Sequence, residues 1–177
     1  AQKNVPIMLE AFYKTHNYLV DHVQVPARRL LMDEINWNDR LIAIKGGRGV
    51  GKTDFLLNYA KELRTTNPEL SKRTLYVNFN DFYFTEHSLV EFAGEFVAAG
   101  GHTLLIDQAF KYPNWSRELS QCYYNYKDLH IVFTASSVMR LVEDNKDLCS
   151  IVHPYNLRGF SFREYLNVTL GLKLPAY

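Results

Sequence analysis

Four glycines within six residues, followed directly by Lys-Thr, make Gly46-Gly47-Arg48-Gly49-Val50-Gly51-Lys52-Thr53 the most constraining stretch of this chain. Glycine lacks the Cβ that keeps a backbone away from a ligand, so successive N–H groups of such a loop can turn inward and form an anion cradle. Arg40-Leu41-Ile42-Ala43-Ile44 precedes the loop as a predicted strand, and Phe55, Leu56, Tyr59, Ala60 and Leu63 recur behind it at helical spacing. The helix starting near Lys52 adds the positive end of its dipole. Strand, glycine loop and helix together spell a G-x-x-x-x-G-K-T phosphate-binding loop. Gly46 through Thr53, with Asp54, are therefore the predicted nucleotide contacts. Lys52 is expected to reach the β and γ phosphates, and the Thr53 hydroxyl to hold a Mg²⁺ that bridges them.

A chain of 177 residues with 47% hydrophobic content can bury one full core, so a single domain is expected over residues 1–177. Residues 1–36 read as an N-terminal helical segment and 40–160 as the core. The formal net charge of +1 argues against a large basic surface, so nucleic-acid binding is not indicated, and the pairs Arg28-Arg29 and Lys72-Arg73 read as solvated surface. Cys122 and Cys149 lack metal-ligand spacing; Cys122 falls on an apolar helix face and reads as a buried free thiol, which suits a reducing cytoplasm. No apolar run reaches membrane-spanning length, and the N-terminus has no basic start followed by an apolar core. The chain opens on Ala1 and closes at Tyr177 soon after a new helix start, so it is expected to be a piece of a longer protein.

Taken in order, Leu9, Phe12, His16, Leu19, Val20 and Val23 define an amphipathic helix, with His16 as a packed histidine on its stripe. Pro26 is expected to open a second helix running to about Ile35. After the loop helix, Asn67-Pro68 breaks the chain and a second strand runs from Thr74 to Asn80. The aromatic group Phe79, Phe82, Tyr83 and Phe84 reads as core and loop packing rather than base stacking, since no basic residues flank it. Ser88-x-x-Glu91 opens a helix that Gly100-Gly101 ends. Thr103 to Asp107 is an apolar strand ending in a carboxylate, placed where a Mg²⁺-holding aspartate belongs, one strand and one helix after the loop. Pro113-Asn114 leads into a helix with Trp115, Leu119, Cys122, Tyr123 and Tyr126 on one face.

Leu129 to Thr134 is the fourth strand, and Ser136 behind it can sit beside a γ phosphate or, with Ser137, cap a helix. A fifth strand lies within Val152 to Leu157, and Ser161-Phe162-Arg163-Glu164 is a second capping box. Five strands alternating with helices imply an α/β fold, a parallel sheet covered on both faces, with ligand at the carboxyl ends of the strands. Asn78 and Asn80, at the end of the second strand, join Ser136 as further candidates for contact with the γ phosphate or a water.

Several motifs jointly resemble a group of bacterial and archaeal AAA+-type P-loop ATPases. They are Gly46-x-Arg48-x-x-Gly51-Lys52-Thr53, Leu104-Leu105-Ile106-Asp107 with Lys111-Tyr112-Pro113-Asn114-Trp115, Ile131-Val132-Phe133-Thr134-x-Ser136-Ser137, and Leu157-x-Gly159-x-Ser161-Phe162-Arg163-Glu164-Tyr165-Leu166. The resemblance covers roughly residues 28 to 167. It implies a three-layer P-loop NTPase sandwich with sheet order 5-1-4-3-2, ATP and Mg²⁺ as ligands, and a C-terminal domain of nuclease-like character beyond this chain. Three positions depart from the family pattern. Gln108 stands where a glutamate usually follows the aspartate, Phe110 replaces a histidine, and Leu148-Cys149-Ser150-Ile151 lacks the usual arginine.

Gln108 cannot accept a proton at neutral pH, and loss of a general base typically lowers rate ~10²–10⁴-fold. A glutamine can nevertheless orient an attacking water, as in small GTPases. The sequence thus predicts an ATP-binding module with weak hydrolysis, its rival a nucleotide-dependent switch or scaffold that never turns over. A small-molecule kinase ranks last, because only Arg140 follows the fourth strand before Arg158, where a lid would carry several arginines.

Overall fold

The computed structural model describes residues 6–24, 28–136, 141–159 and 164. Five strands, β1 (Leu41–Gly46), β2 (Thr74–Asn78), β3 (Thr103–Asp107), β4 (His130–Ser136) and β5 (His153–Asn156), form one sheet in the order β2-β3-β4-β1-β5. All four strand pairings are parallel. This is the expected 5-1-4-3-2 order read from the other edge.

Parallel strands buried on both faces need apolar residues at nearly every position. Strands β1 to β4 supply them, and alternation sorts them into two cores, whereas the edge strand β5 is largely exposed. Leu41, Ala43, Leu75, Val77, Leu104, Ile106, Ile131 and Phe133 pack on one face under α6 (Leu89–Ala98) and α7 (Trp115–Asn125). Ile42, Ile44, Tyr76, Leu105 and Val132 pack on the other, against Phe55, Leu56, Tyr59, Ala60 and Leu63 of α3 (Lys52–Thr66).

The outer edge of β2 exposes backbone groups that need a partner. Helix α1 (Ile7–His22) covers that edge, and His16 Nδ1 accepts the Tyr76 backbone N–H at 2.9 Å. The packed histidine read from the stripe thus closes a sheet edge. An imidazole that accepts at Nδ1 must be neutral on that nitrogen, and burial accordingly pushes the His16 pKa down to about 4. Cys122 is buried and free, as expected from its apolar face.

Local boundaries differ from expectation at several places. Helix α2 spans only Leu31–Glu34, because residues 28–30 are held by side-chain contacts described below; Pro26 lies outside the described residues. Asn67-Pro68 does more than break the chain. The Asn67 side chain accepts the Leu70 N–H, and Pro68 occupies the first position of a short helix, α4 (Pro68–Lys72), where a missing N–H does no harm. Strand β2 stops at Asn78, whose side chain accepts the Asn80 N–H at 2.8 Å and turns the chain. A one-turn helix, α5 (Tyr83–Glu86), follows; Phe79 and Phe84 are buried while Phe82 stays exposed. Ser88 caps α6 by accepting from Glu91 N–H. A further short helix, α8 (Leu141–Asp144), follows β4; Ser137 and Ser161 lie outside the described residues.

Candidate nucleotide site

Strand β1 delivers the glycine loop at the carboxyl edge of the sheet, and α3 begins directly behind it. Gly46 pairs in register with Ser136 at the end of β4. A Cβ at Gly46 would lie 2.7 Å from Val50 Cγ2 and 2.8 Å from the Leu157 carbonyl oxygen, so the loop closes only around glycine here. Gly51 enters the helix at φ +96°, a left-handed conformation that L side chains disfavour. No side chain caps the start of α3, which leaves its first N–H groups to the loop.

The Lys52 ammonium lies across this loop. Its Nζ donates to the Gly46 carbonyl at 2.6 Å and to the Ala135 carbonyl at 3.3 Å, bridging the ends of β1 and β4. Burial lowers its pKa, opposed by the negative charge of Asp107.

Asp107 ends β3 beside it and is only 2% exposed. A buried carboxylate requires hydrogen-bond donors, and three hydroxyls supply them. Thr53 Oγ1 donates to Oδ2 at 2.5 Å, Tyr76 OH donates to the same oxygen at 2.7 Å, and Thr134 Oγ1 donates to Oδ1 at 2.8 Å. The Tyr76 phenol has its pKa raised by burial and by the Asp107 charge, so it remains a donor. Thr134 Oγ1 also accepts the Gln108 backbone N–H at 3.0 Å, and Gln108 sits in the left-handed region at φ 56°.

The family model described as AAA domain matches residues 38–166, nearly three quarters of the chain. This chain belongs to that AAA domain family. Domain III of the Thermotoga maritima replication initiation protein DnaA superposes with a TM-score of 0.51 at 17% identity, over 95% of this chain and 69% of that one. The C. elegans PCH-2 structure gives a TM-score of 0.49 at 17% identity over 91% of this chain and 44% of its own length. AMPPCP-bound DnaA from Aquifex aeolicus gives 0.46 at 17% identity over 97% and 55%. The chain therefore spans about half the length of the last two structures. No match was found among curated proteins.

In this AAA domain the sequence-predicted residues divide by position. Gly46, Gly47, Val50, Gly51, Lys52, Thr53 and Asp107 gather at the ends of β1 and β3, Thr53 being exposed yet bonded to Asp107, whereas Arg48, Gly49 and Asp54 are exposed on the loop and the first turn of α3. Ser136 is the last residue of β4, next to the Ala135 carbonyl that Lys52 holds. Asn78 ends β2 in register with Asp107, and Asn80 is exposed beyond it. Gln108 Oε1 is buried and without a hydrogen-bond partner among the described residues.

Two contributions escaped the sequence reading. Tyr76 and Thr134 lie in predicted strands without a motif role of their own, and only pairing of β2 and β4 with β3 reveals that both hydroxyls meet Asp107. Arg29, read as solvated, is instead buried: its Nε donates to Glu164 Oε2 at 3.0 Å, its Nη1 to the Val50 carbonyl of the loop at 2.9 Å, and its Nη2 to the Arg158 carbonyl. Glu164 Oε2 also accepts the Leu30 N–H at 3.2 Å. Arg28, by contrast, pairs at the surface with Asp33 and Glu62. Among the described residues no helix is long and apolar enough to cross a membrane.

Proposed function

We propose that this AAA domain binds Mg·ATP through residues 46–53 and hydrolyses it slowly, because Gln108 occupies the position of the usual glutamate. The observation that carries the proposal is the 2.5 Å approach of Thr53 Oγ1 to Asp107 Oδ2 beside the Lys52 ammonium. Hard divalent cations take oxygen ligands, and a hydroxyl and a carboxylate at this spacing are such a set. Thr53 and Asp107 would hold Mg²⁺, which when bound neutralises charge on the β and γ phosphates.

The protein's own groups do the rest. Lys52, now resting on two carbonyls, exchanges those acceptors for phosphate oxygens, a stronger charge-assisted contact. The loop N–H groups and the start of α3 face the same anion. The Gln108 amide can accept a hydrogen bond from water and orient it but cannot remove its proton, which supports slow turnover. Asn78, Asn80 and Ser136 are proposed to contact the γ phosphate or that water. The proposal extends to a reducing cytoplasm, supported by the buried free thiol of Cys122.

Calorimetric titration of ATP with MgCl₂ into this chain and into Lys52→Ala tests the reading. Binding by the parent and none by the variant, with the variant's circular dichroism unchanged, is expected. Equal affinity in the two proteins rejects the site.

A further inference from the structure

We infer that Tyr76 is a positioning residue for Asp107, fixing the carboxylate so that its one open acceptor position is the one offered to a divalent cation or its water. The inference rests on the nucleotide reading above and adds a residue from a strand that carries no motif.

An ionised carboxylate has about four acceptor positions. Thr53 and Tyr76 occupy Oδ2, and Thr134 occupies one position of Oδ1, so three are taken. Without restraint a carboxylate rotates about its Cβ–Cγ bond and presents either oxygen. Donors on both oxygens remove that freedom. Thr53 cannot supply the restraint alone, since its own oxygen is the other proposed ligand and must keep a lone pair for the cation. Tyr76 has no such second duty.

The placement of Tyr76 suits it to the role. Its register partner is Leu105, two residues before Asp107 and therefore on the same face of the sheet. The ring lies along that face in the core that includes Leu105 and Val132, and only its hydroxyl reaches the carboxylate. The residue is 5% exposed, and its backbone is anchored from outside by His16. A rigid aromatic fixed at both ends delivers a donor with little freedom. Partners of this kind behind metal-holding groups typically govern ~10–100-fold in metal affinity.

The test compares ATP affinity, by calorimetry, in EDTA and in excess MgCl₂ for the parent, Tyr76→Phe and Asp107→Asn. The ratio of the two affinities measures coupling to the cation. Tyr76→Phe keeps the ring and is expected to lower that ratio about tenfold while leaving the affinity in EDTA within about twofold. Asp107→Asn is expected to abolish the ratio. A parent that responds to Mg²⁺ together with a Tyr76→Phe protein that responds equally overturns the inference alone. A parent that binds no ATP, or binds it without regard to Mg²⁺, overturns the functional reading and the inference with it. Should Tyr76→Phe fail to fold, 3-fluorotyrosine at position 76 provides a fluorine resonance in an intact protein. That resonance is expected to shift when MgCl₂ is added to the ATP complex, and an unmoved signal overturns the inference.

Discussion

Arg29 and Glu164, 135 residues apart, form a buried ion pair with Nε and Oε2 at 3.0 Å. The same guanidinium holds the Val50 carbonyl of the glycine loop, so one side chain joins the segment before β1, the loop and the chain beyond β5. Removing one partner of a buried pair strands the other charge, which typically costs about 3–5 kcal/mol. Arg29→Met is therefore expected to destabilise the fold by that amount in urea unfolding. Arg28→Ala, whose pairs are largely solvent-exposed, is expected to change stability by less than about 1 kcal/mol. Equal losses in the two variants would contradict the assignment.

His16 predicts a pH dependence. Its imidazole is neutral in the fold, with a pKa of about 4 against 6.5 for a free histidine. As pH falls through 6.5 the unfolded chain takes up a proton that the folded chain refuses until about 4. Stability is thus complete above that window and lost progressively within it, by about 3 kcal/mol at most. Replacing His16 with Gln should flatten this segment of the stability profile measured by thermal melting between pH 4 and 7. A parent and a variant with parallel profiles would show that another group governs the acid limb.

The glycines of the loop should respond differently to alanine. At Gly46 the new Cβ would meet the Leu157 backbone oxygen at 2.8 Å, and backbone yields less readily than a side chain. Gly46→Ala is expected to destabilise by about 1–3 kcal/mol and to weaken ATP binding by distorting the loop. Gly49 has open space around it, so Gly49→Ala should suffer only the penalty of a left-handed residue at φ +82°, about 1–2 kcal/mol. Its loop stays in place, and its ATP affinity should follow the parent more closely than that of Gly46→Ala.

The loop and the five-strand alternation were legible because each is written locally: glycine spacing in one case, apolar runs between breakers in the other. Asp107 was legible for a related reason, as a carboxylate ending an apolar strand at a fixed place in the order. Tyr76 and Thr134 were not, since a hydroxyl inside an apolar strand looks the same whether it faces packing or a charge. What decides is which strand lies beside which. Arg29 failed for the opposite reason. Its neighbour Arg28 is solvated, and a basic pair carries no mark of which member turns inward until the chain beyond β5 brings Glu164 to it. Asn67-Pro68 was read as a break because proline cannot continue a helix, although the same residue starts one well.

Gln108 links these local facts to turnover. Its backbone N–H is held by Thr134, which itself donates to Asp107, so the residue after the carboxylate is locked to it in the left-handed region. Glutamate is isosteric with glutamine and can adopt the same backbone with the same Thr134 contact. The exchange therefore keeps the shape and replaces a neutral amide with a carboxylate that can accept a proton from water. Gln108→Glu is expected to bind Mg·ATP as the parent does and to raise single-turnover hydrolysis by about 10²-fold or more, read as phosphate released per bound nucleotide. If both proteins bind and neither releases phosphate, proton acceptance is not what limits the reaction. The missing arginine around Leu148-Cys149 or a partner subunit would then be limiting, and the non-hydrolysing switch would become the better reading.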